Sequence, residues 1–207
     1  MNRSRRLQED SPRVLAFGLA AWALAVALAA HAGAFAKIPA AAYAWLIGLS
    51  AAFAIATYFL DARLRAAIGA IDLRVLTLLQ SWRIAAGVAF IVMGYAGVLP
   101  AAFARHAGWG DLLVGLAALA FLSRRVGGGA YAAFHLAGLA DLVLAIGTAV
   151  ALLDSPLMGA MARFPLALVP MFGVAISAAA HVAALERIVR GFSSAEARVP
   201  ARRPAAT

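Results

Sequence analysis

Six apolar stretches, each near the length of a bilayer-spanning helix, dominate the chain between Val14 and Leu185. They fall at residues 14–34, 42–60, 75–98, 108–122, 131–153 and 166–185. A transmembrane helix needs about 20 mostly apolar residues. In hydrocarbon every backbone polar group must be satisfied internally, so only helices or closed barrels span. Runs this long and uniformly apolar select helices. The expected fold is therefore all-α: a polytopic membrane protein with six transmembrane helices.

Composition agrees. Of 207 residues, 65% are hydrophobic and 13% charged, against about half and a quarter in a soluble domain. One membrane domain at 14–192 is expected, preceded by a cytoplasmic segment at 1–13 and followed by a disordered basic tail at 193–207. The basic start, first apolar run and small residues before Lys37 also resemble a signal peptide. The run is long for one, which favours an uncleaved anchor.

The charge is distributed by side. Under the six-span reading, fourteen of the eighteen Lys and Arg residues fall on the side of the two termini. Lys37, Arg105 and Arg163 fall on the other, and Arg83 lies within a span. This positive-inside asymmetry places both termini in the cytoplasm. The net charge of +9 thus points to the bilayer, with anionic lipids at the cytoplasmic face, and not to nucleic acid. Protein partners are not legible.

Between the second and third spans, Leu64, Ile68, Ile71 and Val75 recur at helical spacing, with Arg63, Arg65, Asp72 and Arg74 elsewhere. That pattern predicts an amphipathic interfacial helix over 61–74. Cysteine is absent, which excludes disulfides, thiolate metal sites and cysteine nucleophiles. The only lysine, Lys37, lies outside every span, so an intramembrane Schiff base is excluded too. Gly127, Gly128 and Gly129 follow arginines at a turn and make no phosphate loop.

The last four spans carry small or polar residues at steps of three and four. The sets are Gln80, Arg83, Gly87 and Gly94; Gly108, Asp111, Gly115 and Ala118; His135, Gly138, Asp141, Ala145 and Thr148; and Pro170, Gly173, Ser177 and His181. Each set lines one helical face, the kind of face that turns toward a bundle interior. The first two spans carry no charge and read as peripheral. A charge at mid-bilayer costs about 2.5–3.5 kcal/mol, so Arg83 and Asp141 each need a partner. Counting at 1.5 Å per residue puts them roughly 12 and 15 Å from the same face, which predicts an Arg83–Asp141 pair. Gln80, Arg83, Asp111, Asp141 and His181 form the expected intramembrane polar site.

Asp111 depends on where the fourth helix begins. Pro100, Gly108, Gly110 and Gly115 mark a helix break or close packing, as Gly138 does in the fifth span. A helix starting at Gly108 makes Asp111 a first-turn carboxylate reachable from outside. A helix starting at Pro100 buries it level with Asp141.

Gln80 and Arg83, Leu99-Pro100, Phe103-Ala104, Ala107 to Asp111, Gly138-Leu139, Asp141, Pro165-Leu166, Pro170 and His181 together resemble a family of bacterial six-span inner-membrane proteins of unestablished function. The resemblance covers roughly 80–185. In that family a proline often stands at the position of His106 and an asparagine at that of His135. It therefore implies a recurring polar set and no reaction.

Four functions compete. A small transporter or channel-like protein would use Asp111 or Asp141 to bind a proton, cation or small solute. A non-catalytic scaffold or partner subunit would need the polar residues only to fix the bundle. A two-haem cytochrome would pair His135 with His181 and His31 with His106. Gly108-Trp109-Gly110-Asp111 resembles the GxGD element of intramembrane aspartyl proteases, with Asp141 as the second carboxylate. The order of the aspartates is reversed there and no tyrosine precedes Asp141. The transporter reading leads, without a catalytic residue, metal or cofactor.

Topology is checked by reporter fusions. Fusions after Phe192 should read cytoplasmic, and those near Pro39, Arg105 and Pro156 periplasmic. A periplasmic C-terminus contradicts the six-span reading.

Overall fold

The computed structural model describes the backbone of residues 3–121 and 127–196 and the side chains of 14–121 and 127–191. The expected turn at Arg124-Arg125, the expected fourth-stretch end at Leu122 and residues 197–207 of the expected tail lie outside it. The described residues are helical, without strands. Eight α-helices follow in order: α1 (Arg3–His31), α2 (Ala40–Leu60), α3 (Ala62–Ala70), α4 (Leu73–Leu78), α5 (Arg83–Tyr95), α6 (Ala101–Ala120), α7 (Gly128–Ala151) and α8 (Val174–Glu196). α8 thus enters the stretch read as tail.

Among the described residues, five segments are long and apolar enough to cross a membrane: Val14–His31, Ala40–Leu60, Leu73–Tyr95, Gly128–Ala151 and Val169–Gly191. α6 has the length, at 20 residues, but carries Arg105, His106 and Asp111. Burial identifies the central element. In Val169–Gly191, 56% of the window is buried, against 11% in Val14–His31 and 6% in Ala40–Leu60. α8 packs between α2 and α7 and also meets α3 and α4. Its interior positions are small (Ala175, Ala180, Ala183 and Ala184 are buried), which lets neighbours approach on several sides.

The two ends of the bundle are closed differently. At one end Tyr58 Oη donates to Glu186 Oε2 at 3.0 Å and Arg187 Nη1 to the Ile71 carbonyl at 2.5 Å. The arginine thereby satisfies a carbonyl just past the end of α3, where a helix leaves acceptors free. Asp61 and Asp72 cap α3 and α4 through the amides of Arg63 and Arg74, which divides the expected 61–74 helix at Ile71-Asp72. Leu64 and Ile68 are half-buried, while Val75 is 53% exposed. At the other end Tyr43 Oη donates to the Met161 carbonyl at 2.8 Å, and Phe90, Leu99, Phe103 and Met161 form an apolar cluster.

α5 and α6 form a tight antiparallel hairpin. α5 ends at Tyr95, and Gly97, just past its cap, has a φ of +69°, the left-handed conformation that ends helices. The Val98 amide turns back to the Met93 carbonyl at 2.9 Å. Pro100 then stands as the N-cap residue of α6, one position before the helix. Glycines fix the spacing of the pair. A Cβ on Gly87 would stand 2.6 Å from the Gly108 carbonyl oxygen, and one on Gly115 would stand 2.7 Å from the Ile84 amide nitrogen. Backbone meets backbone at both places, so the helices are in contact only because side chains are missing. The start at Gly108 is therefore corrected: α6 runs unbroken from Ala101, and Gly108, Gly110 and Gly115 are packing positions inside it.

Candidate functional site

The site centres on Arg83, whose side chain is completely buried. It stands where a 3₁₀ turn, Leu79–Trp82, passes into α5. Such a turn inside a longer span re-aims side chains and often marks a functional position. Arg83 Nε donates to Asp111 Oδ1 at 2.6 Å, Nη2 donates to Asp141 Oδ2, and Nη1 reaches the Gly138 carbonyl at 3.5 Å. The guanidinium thus ties α5 to α6 and α7. A planar fork with donors on three nitrogens can engage two carboxylates in one plane, which a lysine could not do.

The expected Arg83–Asp141 contact is present, and Asp111 joins it. Asp111 is the eleventh residue of α6, roughly 15 Å from its start, and it is 6% exposed. It is not a first-turn carboxylate. The glycines that suggested a helix break are where α5 and the Asp141 side chain come closest. A Cβ on Gly110 would overlap the Asp141 carboxylate, so that glycine leaves the room the cluster occupies.

A second polar layer lies toward the Ile71 end. The Thr77 hydroxyl donates to the Leu73 carbonyl at 2.9 Å, and its oxygen stands 3.2 Å from His135 Nε2. With its one proton committed, Thr77 accepts from that nitrogen, so His135 carries its proton on Nε2. His135 Nδ1 is then a lone pair, and His181 Nδ1, 2.8 Å away, donates to it. His181 Nε2 is left as a buried acceptor without a partner among the described residues. Its ring lies against Gly138, where a Cβ would stand 2.5 Å from Nε2. Gly138 therefore serves both layers, through its carbonyl and its missing side chain. Gln80 is fully buried too, with both carboxamide atoms unpartnered among the described residues.

Sequence reasoning overlooked Thr77 and Trp82. Thr77 extends the Gln80–Arg83 stripe by three residues, a signal that was available. The Trp82 ring lies against Gly173, and its Nε1 donates to Ser177 at 3.1 Å. This contact depends on a π-helical segment, Val169–Gly173, leading into α8, and no periodicity reveals that.

The remaining expectations separate. A bis-histidine haem needs its iron between two ring nitrogens. His135 and His181 are hydrogen-bonded to each other, so the pair does not fit that group. His31 packs edge-on to Phe164 at 6.1 Å and His106 stands 3.4 Å from Thr148, so no second layer forms. An aspartyl dyad needs two carboxylates sharing a proton, but Asp111 and Asp141 are held by different nitrogens of one guanidinium.

A cavity of about 230 Å³ lies between α2 and α7, near the Met161 end. Its walls are mainly apolar, with Tyr43, Ile47, Leu142 and Ala145 on opposite sides, and Trp82, Phe90, Phe103 and Asp111 also line it. The cavity therefore reaches the polar cluster through one carboxylate.

A family model described as a domain of unknown function (DUF8737) matches residues 40–189. No curated protein and no solved structure matches the chain. The match and the five apolar helices fit an integral membrane protein.

Removing the guanidinium strands two buried carboxylates. Arg83→Leu should lower stability by about 3–5 kcal/mol in a denaturation titration in nanodiscs. Asp141→Asn leaves a neutral Arg83–Asp111 pair and should cost less. The triple change of Arg83, Asp111 and Asp141 to Leu should recover more than half of the loss. A triple variant no better than Arg83→Leu alone means the three residues are not coupled.

Proposed function

We propose that this chain, which belongs to the family whose model spans residues 40–189, a domain of unknown function, is a small transporter-type protein. In this reading it is a six-span protein of the bacterial inner membrane with both termini in the cytoplasm. α6 is the sixth span. Its one deeply placed charge, Asp111, is answered by Arg83, which offsets the insertion cost that its composition suggests. α3 lies at the cytoplasmic surface with Leu64 and Ile68 inward and Arg63 exposed. Its arginines and those near the termini meet anionic lipid headgroups.

One observation carries the transporter reading: the cavity between α2 and α7 ends on Asp111. A bundle built only to hold itself together would close an apolar gap beside a charged cluster, because packing there adds contacts and excludes water. Pockets used for small molecules are mainly apolar with a few placed polar groups, as this one is. The scaffold reading draws on a different fact, that Arg83 is held on three sides.

The absence of native cysteine makes the test clean. Ala145 lines the cavity, and Ala118 is fully buried outside it. A cysteine at Ala145 should react with a membrane-impermeant methanethiosulfonate applied from the periplasmic side, at least about tenfold faster than one at Ala118. Equal, slow reaction at both positions puts the scaffold reading ahead.

A further inference from the structure

We propose that the cavity between α2 and α7 takes a small lipophilic organic cation, its ammonium seated against Asp111. The proposal rests on the transporter reading above and names the class of solute.

The cluster beneath the cavity contains one guanidinium and two carboxylates. Their formal charges leave one negative charge over when both aspartates are ionised. Arg83 engages both acids, and among the described residues no other basic residue is ion-paired with either. Of the three, only Asp111 lines the cavity, so the surplus is presented there. An unbalanced charge in a low-dielectric site is costly, and a ligand cation lowers that cost where a neutral or anionic ligand does not.

Tyr43, Trp82, Phe90 and Phe103 line the cavity with Asp111. Aromatic rings with a carboxylate are the surroundings that hold alkylammonium groups, through ring quadrupoles and apolar contact together. A small hydrated metal ion would gain nothing from such walls, since hard cations take oxygen ligands. Arg163, at the rim, is exposed, so its charge is solvated and screened within a Debye length of about 8 Å.

Ile146 and Val150 line the cavity and are 38% and 50% exposed, so apolar side chains stand at its open side. An apolar rim of this kind meets lipid, so a ligand with an apolar body can enter from the bilayer.

The test compares benzyltrimethylammonium with its carbon isostere neopentylbenzene, which has the same shape without the charge. Binding is measured by ligand-observed NMR on protein in nanodiscs, with empty nanodiscs as the blank. The cation should bind at least about tenfold more tightly. Asp111→Asn should abolish that preference and leave the isostere's affinity unchanged. That variant keeps a neutral Arg83–Asp141 pair, and circular dichroism checks its fold. If it does not fold, Asp141→Asn removes the same charge from outside the cavity lining and should reduce the preference likewise. Equal affinities for the two probes, or a preference that survives both substitutions, overturn the proposal. Failure of both probes to bind overturns it as well. In that case labelling at Ala145→Cys still upholds the cavity as a site, and its absence removes the transporter reading too.

Discussion

A fully buried guanidinium has to be met by acceptors on every side it presents, and in this protein that requirement orders the helices. Arg83 sits where a 3₁₀ turn passes into α5, and its three nitrogens draw on α6 and α7. Glycines set the spacing around it. Gly87, Gly108 and Gly115 bring α6 against α5, and Gly110 leaves room for the Asp141 carboxylate. Breaking one part of this arrangement leaves charge unpaired in a medium that cannot solvate it.

α8 completes the arrangement from the other side. The π-helical segment at Val169–Gly173 admits the Trp82 ring against Gly173, and Ser177 accepts from the indole. That fixes the residue next to Arg83 and thereby the direction in which the guanidinium points. One turn further, His181 joins His135 and Thr77 in a chain whose tautomers are set by the Leu73 carbonyl. Gly138 couples the layers, since its carbonyl faces Arg83 and its bare α-carbon faces His181. A single added methyl there would disturb both.

The sequence was informative where a quantity could be counted. Depth along the helices brought Arg83 to the level of Asp141, because 1.5 Å per residue is a fixed ruler. It failed at Asp111 because Pro100 and three glycines fit either a broken helix or a closely packed one. The choice depends on what α5 places opposite them. In a chain so rich in alanine, small faces also arise by chance, so Gly87 and Gly115 could not be told from neighbours that pack nothing. The cavity had no linear signature at all. Its walls come from α2, α5, α6 and α7, elements far apart in sequence that only the packed bundle brings together.

The account stands on Arg83 holding both aspartates at once inside a lipid bilayer. Solid-state NMR dephasing between arginine side-chain nitrogens and aspartate carboxyl carbons, in protein reconstituted in lipid, measures this directly. Two Arg83 contacts, each within about 4 Å, one lost in Asp111→Asn and the other in Asp141→Asn, are the expected result. A single Arg83 contact that survives Asp111→Asn contradicts the account, for Asp111 would then stand apart from the arginine and the cavity would end on an isolated carboxylate.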